Sequence, residues 1–270
     1  MKKAFIAFGG AIFFLTTGLF AEEETILSLK GNDPEFTRIF RGGVKEKTVN
    51  EEGLIVKANG PVYSYNTVPE IDPKAAYELV IKVKYNGNKK GISFGGGFIT
   101  NVASPQVFCY PNTLTELASD FSRGDNELIV KDASTWKTGN YLVAFEAKED
   151  ASDLPNTKLT RPGIAKVEKK PNGTWLVELK SPEMKVDAKK GSKVRVHYQS
   201  NTWNTIDTKW IAKGIVTEYR GIFTGIANPY PQPRMFWPGT KKFGVVFFTS
   251  GLDKGESLTI SELSLKKITE

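Results

Sequence analysis

The chain is poor in the side chains that most often build metal centres and nucleophilic active sites. Its 270 residues include one cysteine, Cys109, and one histidine, His197. One cysteine excludes an internal disulfide, and one histidine excludes a zinc site made of several His or Cys ligands. A Ser–His–Asp triad would have to use His197. Cys109 and His197 each lie in an apolar segment. These surroundings favour a buried, inert thiol for Cys109 and a structural role for His197 on the outward or interfacial face of a strand.

The chain also lacks a concentrated block of charge of one sign. Its net charge is +7, and the lysine pairs that contribute to it are spread along the sequence rather than clustered. A nucleic-acid-binding protein usually concentrates basic residues on one face and carries a recognisable reading element. Separate lysine pairs are typical of hairpin tips and edge strands. We therefore expect no nucleic-acid partner.

Long apolar runs are absent except at the N-terminus. Lys2 and Lys3 precede an apolar stretch over residues 4–20, and Ala21 is followed by three glutamates beginning at Glu22. This order predicts a secretory signal peptide over residues 1–21. The alternative is an N-terminal membrane anchor, because the run approaches spanning length. We expect a secreted or periplasmic protein with no stable membrane span after cleavage, whose net charge falls from +7 to +5 with the two lysines.

Helical periodicity is scarce, and short β-type segments fill most of the chain. The clearest strand covers residues 77–85, where apolar side chains alternate with Lys82 and Lys84, as in a sheet with one wet face. Three glycines at residues 95–97, inside an apolar strand, indicate a bulge or the close approach of another backbone.

Other short segments carry weaker patterns. Residues 54–58 and 62–66 predict a hairpin around Asn59-Gly60. Residues 36–40 predict a turn of helix or a short strand, and residues 113–122 predict one or two helical turns.

The middle of the chain, residues 102–199, has a different character. Five compact strand candidates are separated by strong turn signals and predict a small β-barrel-like domain. They cover residues 127–130, 140–146, 164–168, 174–179 and 192–198.

The flanking segments, residues 22–101 and 200–270, each have too few strands to bury two sheet faces alone. The sequence therefore predicts an all-β fold in which one sandwich is interrupted by an inserted domain. The alternative is two consecutive domains.

The C-terminal third carries a resemblance to a known family. A Trp-rich segment from Trp203, a Pro-Gly-Thr-Lys-Lys-Phe segment within residues 235–248 and a final alternating strand over residues 258–268 follow one another. This order resembles the last strands of jelly-roll carbohydrate-binding modules of the galactose-binding-like superfamily. The resemblance implies a jelly-roll sandwich that binds a polysaccharide or glycan, either across a concave sheet face or in loops at one edge. It also implies a structural calcium, for which Asp33 and Glu262 are the only suggestive acids.

Aromatic and polar residues that suit sugars are dense in the same region. Sugar rings present apolar faces to aromatic side chains, while arginine and amide groups bond the hydroxyls. Prolines stiffen the loop at residues 228–234, which favours exposure of Tyr230, whereas Trp210 is predicted to lie in the core. The predicted ligand-binding residues are Tyr230, Trp203, Trp237, Tyr219, Arg220, Arg234, Asn228 and Gln232.

Two alternatives to a non-catalytic glycan-binding protein remain open. One is a structural or surface-interaction protein whose aromatic residues all lie in the core. The other is a polysaccharide hydrolase or lyase, for which paired carboxylates or Tyr219-Arg220 would supply the chemistry. The acids in predicted strands are typical of wet faces, so no catalytic residue is assigned; they are Glu146, Glu168, Glu178, Glu218 and Glu262.

Overall fold

The structure is a computed structural model that describes residues 22–44, 46–57, 59–65, 67–200, 203–206 and 208–269. The predicted signal peptide lies outside the described residues. The helices are α1 (Glu35–Ile39) and α2 (Ser104–Val107). The strands are β1 (Glu22–Lys30), β2 (Gly42–Gly43), β3 (Lys47–Asn50), β4 (Gly53–Val56), β5 (Pro61–Tyr63), β6 (Ala76–Asn86), β7 (Gly91–Thr100), β8 (Thr115–Glu116), β9 (Glu127–Val130), β10 (Tyr141–Phe145), β11 (Ile164–Lys169), β12 (Trp175–Leu179), β13 (Lys193–Tyr198), β14 (Trp203–Thr205), β15 (Lys209–Ala212), β16 (Val216–Thr224), β17 (Phe243–Phe248) and β18 (Ser257–Thr269).

Two six-stranded antiparallel sheets form a sandwich. Sheet A has the order β16-β6-β18-β4-β3, and β1 also pairs with β18. Sheet B has the order β14-β7-β17-β5-β2, and β15 also pairs with β7. The consecutive pairs β6 and β7, β15 and β16, and β17 and β18 each divide between the two sheets, as they do in a jelly roll. The predicted all-β sandwich is confirmed.

The main core lies between the inner faces of these sheets. Strand β6 shows how the sequence builds it, because Leu79, Ile81 and Val83 are fully buried while Lys82 and Lys84 lie on the outer face. Burying one such aliphatic side chain contributes about 1.5–3 kcal/mol. The outer face of sheet A carries ion pairs, among them Lys82 with Glu262 at 2.7 Å.

The glycines of β7 allow close approach, as predicted. The ring of Tyr219 lies over Gly96, and a Cβ on Gly96 would come within 2.9 Å of that ring. The Gly96 amide donates to the Tyr219 hydroxyl at 3.0 Å, and the hydroxyl donates to the Gly96 carbonyl at 2.9 Å. A Cβ on Gly97 would lie 2.1 Å from the carbonyl oxygen of Asn204 on β14.

The segment over residues 102–199, called the insert below, has a core of its own. All five predicted strands are present as β9 to β13. They form, with β8, two three-stranded sheets of order β10-β13-β8 and β11-β12-β9. The sheets are joined by isolated bridges, Leu117 with Val130 and Gly139 with Ile164, and a barrel-like closure of the insert stays a prediction.

The insert leaves and re-enters the sandwich between neighbouring strands. It follows β7 and precedes β14, and Trp203 of β14 lies opposite Ile99 of β7. At this neck, the Ser200 amide donates to Ser104 Oγ at 3.2 Å. Val102 and Val107 pack there against Trp237 of the sandwich.

Two local predictions are wrong. Residues 113–122 form β8 and isolated bridges instead of helical turns, because Leu117 and Phe121 bury their side chains in the insert core while the Ala118 amide donates to the Ile129 carbonyl at 2.7 Å. Strands β4 and β5 do not form a hairpin, because they lie in opposite sheets and β4 pairs with β3 instead. Residues 36–40, which the sequence predicts as a turn of helix or a short strand, form most of helix α1 and its C-cap, Phe40.

Candidate functional site

The outer face of sheet B carries aromatic side chains where that of sheet A carries ion pairs. Tyr63, Trp203 and Phe248 lie on β5, β14 and β17, and Tyr65 follows β5. We call these four residues the aromatic cluster. Ring centroids are 5.0 Å apart for Tyr63 and Tyr65, 5.9 Å for Tyr63 and Trp203, and 5.7 Å for Trp203 and Phe248. Tyr65 is the most open member, with 61% of its surface exposed.

Strand alternation and two glycines of β7 bring the rings of this cluster together. Val62 and Phe247 point into the core, so their neighbours Tyr63 and Phe248 point outward. Trp203 and Phe248 lie on strands that flank β7, where Gly97 and Gly95 occupy the outward positions between them. Because these glycines have no side chains, the two rings meet across β7.

Trp203 also lines a cleft at the junction of the sandwich and the insert. The cleft has a volume of about 320 Å³, and we call it the junction cleft. The Pro-rich loop contributes Gln232 and Arg234 to its wall, and the insert side contributes Phe108. As far as the structure describes it, the lining includes no aspartate or glutamate. The predicted residues that meet here are Trp203, Gln232, Arg234 and Trp237.

Two residues of the junction cleft have unusual local environments. Arg234 has a backbone φ of +57°, a left-handed conformation that costs a non-glycine residue about 1 kcal/mol or more. Asn204 is 5% exposed, and its Nδ2 donates to the Met235 carbonyl at 3.0 Å. Its Oδ1 is buried and has no hydrogen-bond partner among the described residues. An unpaired buried acceptor costs about 1–3 kcal/mol.

Three of the predicted ligand-binding side chains are unsuited to stacking or bonding a ligand here. Tyr219 is 2% exposed and belongs to the main core. Arg220 lies on the outer face of sheet A, where it pairs with Glu78 and Glu218. Trp237 is 5% exposed and packs edge-on against Phe108 at 5.2 Å, so Trp203, Tyr230 and Trp237 are not exposed together.

The remaining predictions on this surface are partly confirmed and partly wrong. Tyr230 is exposed, as predicted, but neither it nor Asn228 lines the junction cleft. Trp210 was predicted to be a core residue, and it is 62% exposed. Its neighbour Ile211 is the inward residue of β15, so Trp210 faces outward, where its indole lies over Gly91.

The sequence interpretation missed four residues of this site, Tyr63, Tyr65, Phe248 and Asn204. Pairs such as Val62-Tyr63 and Phe247-Phe248 do indicate one inward and one outward side chain. They do not indicate which outward side chains share a sheet, since that depends on strand pairing.

A buried polar network in the insert supports the junction. His197 Nδ1 donates to the Pro105 carbonyl at 2.7 Å, and its Nε2 accepts from Arg195 Nε at 3.2 Å. Arg195 in turn pairs with Asp153 at 2.9 Å. Burial lowers the pKa of His197 to about 4, so the ring is neutral at pH 7 and holds α2 in place. Its structural role agrees with the sequence interpretation, and Cys109 is a half-buried thiol whose pKa is raised by burial.

Of the two acids suggested for calcium, Glu262 does not fit a cation. Glu262 lies between Lys82 at 2.7 Å and Lys30 at 3.4 Å, so an added cation there would meet two ammonium groups. Asp33 Oδ1 accepts from the Glu35 amide at 2.9 Å at the start of α1. No group of three or more His, Cys, Asp or Glu side chains able to hold a metal occurs in the described part of the chain.

Comparisons with known proteins give only weak structural likenesses. No protein-family model matches the sequence, and no curated protein matches it. A solved legume lectin-like domain from Entamoeba histolytica is 13% identical over 89% of this chain and 96% of that chain, with a TM-score of 0.30. A likeness at this level does not establish a shared fold, so the assignments above rest on the sheets and contacts themselves. Among the described residues, no helix is long and apolar enough to cross a membrane.

Proposed function

We propose that this protein is an exported, non-catalytic glycan-binding protein whose main site is the aromatic cluster together with the junction cleft. The observation that carries the proposal is the position of Trp203. Its ring packs against Tyr63 and Phe248 on the outer face of sheet B and also lines the cleft beside Gln232 and Arg234. One residue therefore joins an aromatic surface to a polar cleft.

The two parts suit the two kinds of surface that a sugar presents. The C–H faces of a sugar ring stack on aromatic side chains, and the half-exposed or exposed rings of Trp203 and Tyr65 offer such surfaces. The hydroxyls need hydrogen-bond donors and acceptors, which Gln232 and Arg234 supply at the cleft.

The same lining favours binding over catalysis. Glycosidases generally place two carboxylates across the bond that they cleave. The described lining of the junction cleft has none, and Glu218 and Glu262 are engaged in ion pairs on the outer face of sheet A. Tyr219, the base considered for a lyase, is buried in the core. These positions support a protein that holds a glycan without cleaving it.

The test compares Trp203 with Trp210, which pairs with another part of β7, and adds Tyr65 of the aromatic cluster. The mature protein and its Trp203→Ala, Tyr65→Ala and Trp210→Ala variants are applied to an array of plant, bacterial and animal polysaccharides. We expect Trp203→Ala to weaken binding about tenfold, since loss of one stacking ring costs about 1.4 kcal/mol. Trp210 lies opposite Ser93 and Trp203 opposite Ile99, so the two are about 20 Å apart along β7.

Trp210→Ala is therefore the matched control and should bind as the wild type does. Tyr65→Ala, at an exposed side chain, should weaken binding without lowering the melting temperature. Absence of binding to every polysaccharide on the array would favour a structural or surface-interaction role. Equal affinity of the wild type and Trp203→Ala would place the site elsewhere.

A further inference from the structure

A second and larger groove opens on the insert. Its volume is about 700 Å³, within the usual range for small-molecule sites. Tyrosines Tyr110, Tyr141 and Tyr198 form its apolar part, and the exposed amides of Asn140 and Gln199 form its polar part. As in the junction cleft, the described lining contains no carboxylate. We call this feature the insert groove.

A row of aromatic rings connects the insert groove to the junction cleft. Ring centroids are 5.2 Å apart for Trp237 and Phe108, 5.6 Å for Phe108 and Tyr198, and 5.2 Å for Tyr198 and Tyr110. Tyr141 ends the row, 5.4 Å from Tyr110. Trp237 belongs to the sandwich segment and the other rings to the insert, so the row crosses the neck between the two.

The backbone explains why the two cavities adjoin. The Tyr198 amide donates to the Phe108 carbonyl at 3.0 Å, and the Tyr110 amide donates to the Val196 carbonyl at 2.8 Å. These two short antiparallel segments supply walls to both cavities. Phe108 and Ser200 line the junction cleft, whereas Tyr110 and Tyr198 line the insert groove. Two residues of extended chain, about 7 Å, separate the linings.

The neck holds the two cavities in a fixed relation. The Ser104 hydroxyl donates to the Ser200 carbonyl at 3.3 Å and accepts from the Ser200 amide at 3.2 Å. His197 fastens β13 to the Pro105 carbonyl, just before Phe108. A ligand bound in one cavity would therefore present its next units to the other at a high effective concentration.

From this continuity we propose that the insert groove is a second subsite for the same glycan, and that one extended polysaccharide chain lies across the junction cleft and the insert groove. This inference rests on the proposed function above. It assigns the insert a direct part in binding, and it commits the ligand to a chain of several sugars. A single terminal sugar would occupy only one of the two cavities.

The test is a chain-length series. Disaccharides and hexasaccharides of β-1,4-linked glucose, mannose and galactose are titrated into the mature wild type and into Tyr198→Ala, Asn140→Ala and Trp175→Ala variants. The wild type should bind a hexasaccharide about tenfold more tightly than the matching disaccharide, since only the longer chain reaches both cavities. Tyr198→Ala should remove most of this gain and leave the disaccharide affinity unchanged.

The other two variants separate binding from folding. Asn140 is exposed and its Oδ1 accepts a surface hydrogen bond from Lys180 Nζ at 2.8 Å, so Asn140→Ala should keep the fold and reduce hexasaccharide affinity alone. Trp175 is a half-buried insert residue outside the groove lining, so Trp175→Ala should keep the full gain. A wild-type gain that survives in both Tyr198→Ala and Asn140→Ala would overturn the inference while leaving the Trp203 site in place. Failure of the wild type to bind any of these sugars would count against both proposals.

Discussion

At the scale of single residues, the candidate site depends on two glycines of β7. Trp203 and Phe248 meet across β7 because Gly95 and Gly97 carry nothing between them. Gly97 has a second role, since a Cβ there would lie 2.1 Å from the Asn204 carbonyl oxygen of the neighbouring strand. A Cβ on Gly95 would make only ordinary contacts, at 3.4 Å or more. The two glycines therefore differ in what they tolerate.

This difference gives a prediction with a built-in control. Gly97→Ala should push β14 away from β7 and lower the free energy of unfolding by about 1–3 kcal/mol, as overpacking does. It should also weaken glycan binding, since β14 carries Trp203. Gly95→Ala should change stability by about 0.5 kcal/mol or less. Urea denaturation measures both values, and equal losses for the two variants would contradict the geometry described for β7.

At the scale of elements, the Pro-rich loop places two of its residues in the junction cleft and leaves others outside. Gln232 and Arg234 line the cleft, and Tyr230 is exposed elsewhere on the loop. Arg234 holds a left-handed backbone conformation that glycine adopts without strain. A turn alone would be more stable with glycine at this position than with arginine. Because this strained residue lines the junction cleft, the participation of Arg234 in binding stays a prediction.

The loop prediction separates stability from binding at this one position. Arg234→Gly should leave the free energy of unfolding within about 1 kcal/mol of wild type, because relief of strain offsets the greater flexibility of glycine. Glycan affinity should fall, since a donor group leaves the cleft. Arg220→Ala, on the outer face of sheet A, should leave affinity unchanged. Calorimetric titration and thermal unfolding check both variants, and unaltered affinity in Arg234→Gly would remove this residue from the site.

The participation of Tyr230 and Asn228 stays a prediction. Both are exposed on the same loop, so a long glycan that leaves the junction cleft along the loop would reach them. Neither residue lines the junction cleft. A Pro-rich sequence can therefore predict that a side chain is exposed without predicting which surface it faces. Proline restricts the backbone, but the orientation of the loop depends on what it packs against.

At the scale of the whole molecule, two hydrophobic cores are joined by a narrow neck. The sandwich core draws on the inner faces of sheets A and B, and the insert core lies between the two smaller sheets. Contacts between them centre on Trp237, Val102, Val107 and Phe108. Because β7 and β14 are neighbours, the chain could pass directly from one to the other without the insert.

Replacing residues 105–199 with a short Gly-Ser linker should therefore leave a cooperatively folding sandwich. The midpoint of its unfolding should be lower than that of the whole protein, because Trp237 loses its cover from Val107 and Phe108. Full burial of one such side chain contributes about 1.5–3 kcal/mol. Differential scanning calorimetry measures the transition. A shortened protein that melts without a cooperative transition would show that the insert is needed for the sandwich to fold.

Much of the local structure was predictable because side-chain alternation is a local property. The alternation of apolar residues with Lys82 and Lys84 predicted β6 and its buried face, and turn residues separated the five strands of the insert. The predictions were wrong where the local conformation depends on partners that are distant in the sequence. Residues 113–122 have a helix-like apolar spacing, yet they form β8 and isolated bridges because β9 and β13 offer them hydrogen-bond partners.

The sequence by itself determined the periods of the strands, the scarcity of helix and the poverty in metal-binding and nucleophilic side chains. Tertiary structure alone decided which aromatic side chains meet. Tyr63 and Trp203 are far apart in the chain and come together only because β5 and β14 join the same sheet. Trp210 is predicted to lie in the core and is exposed, whereas Tyr219 is predicted to bind a ligand and is buried. Strand pairing explains both differences. A two-residue period separates the faces of a strand, but the opposing sheet determines which face is buried.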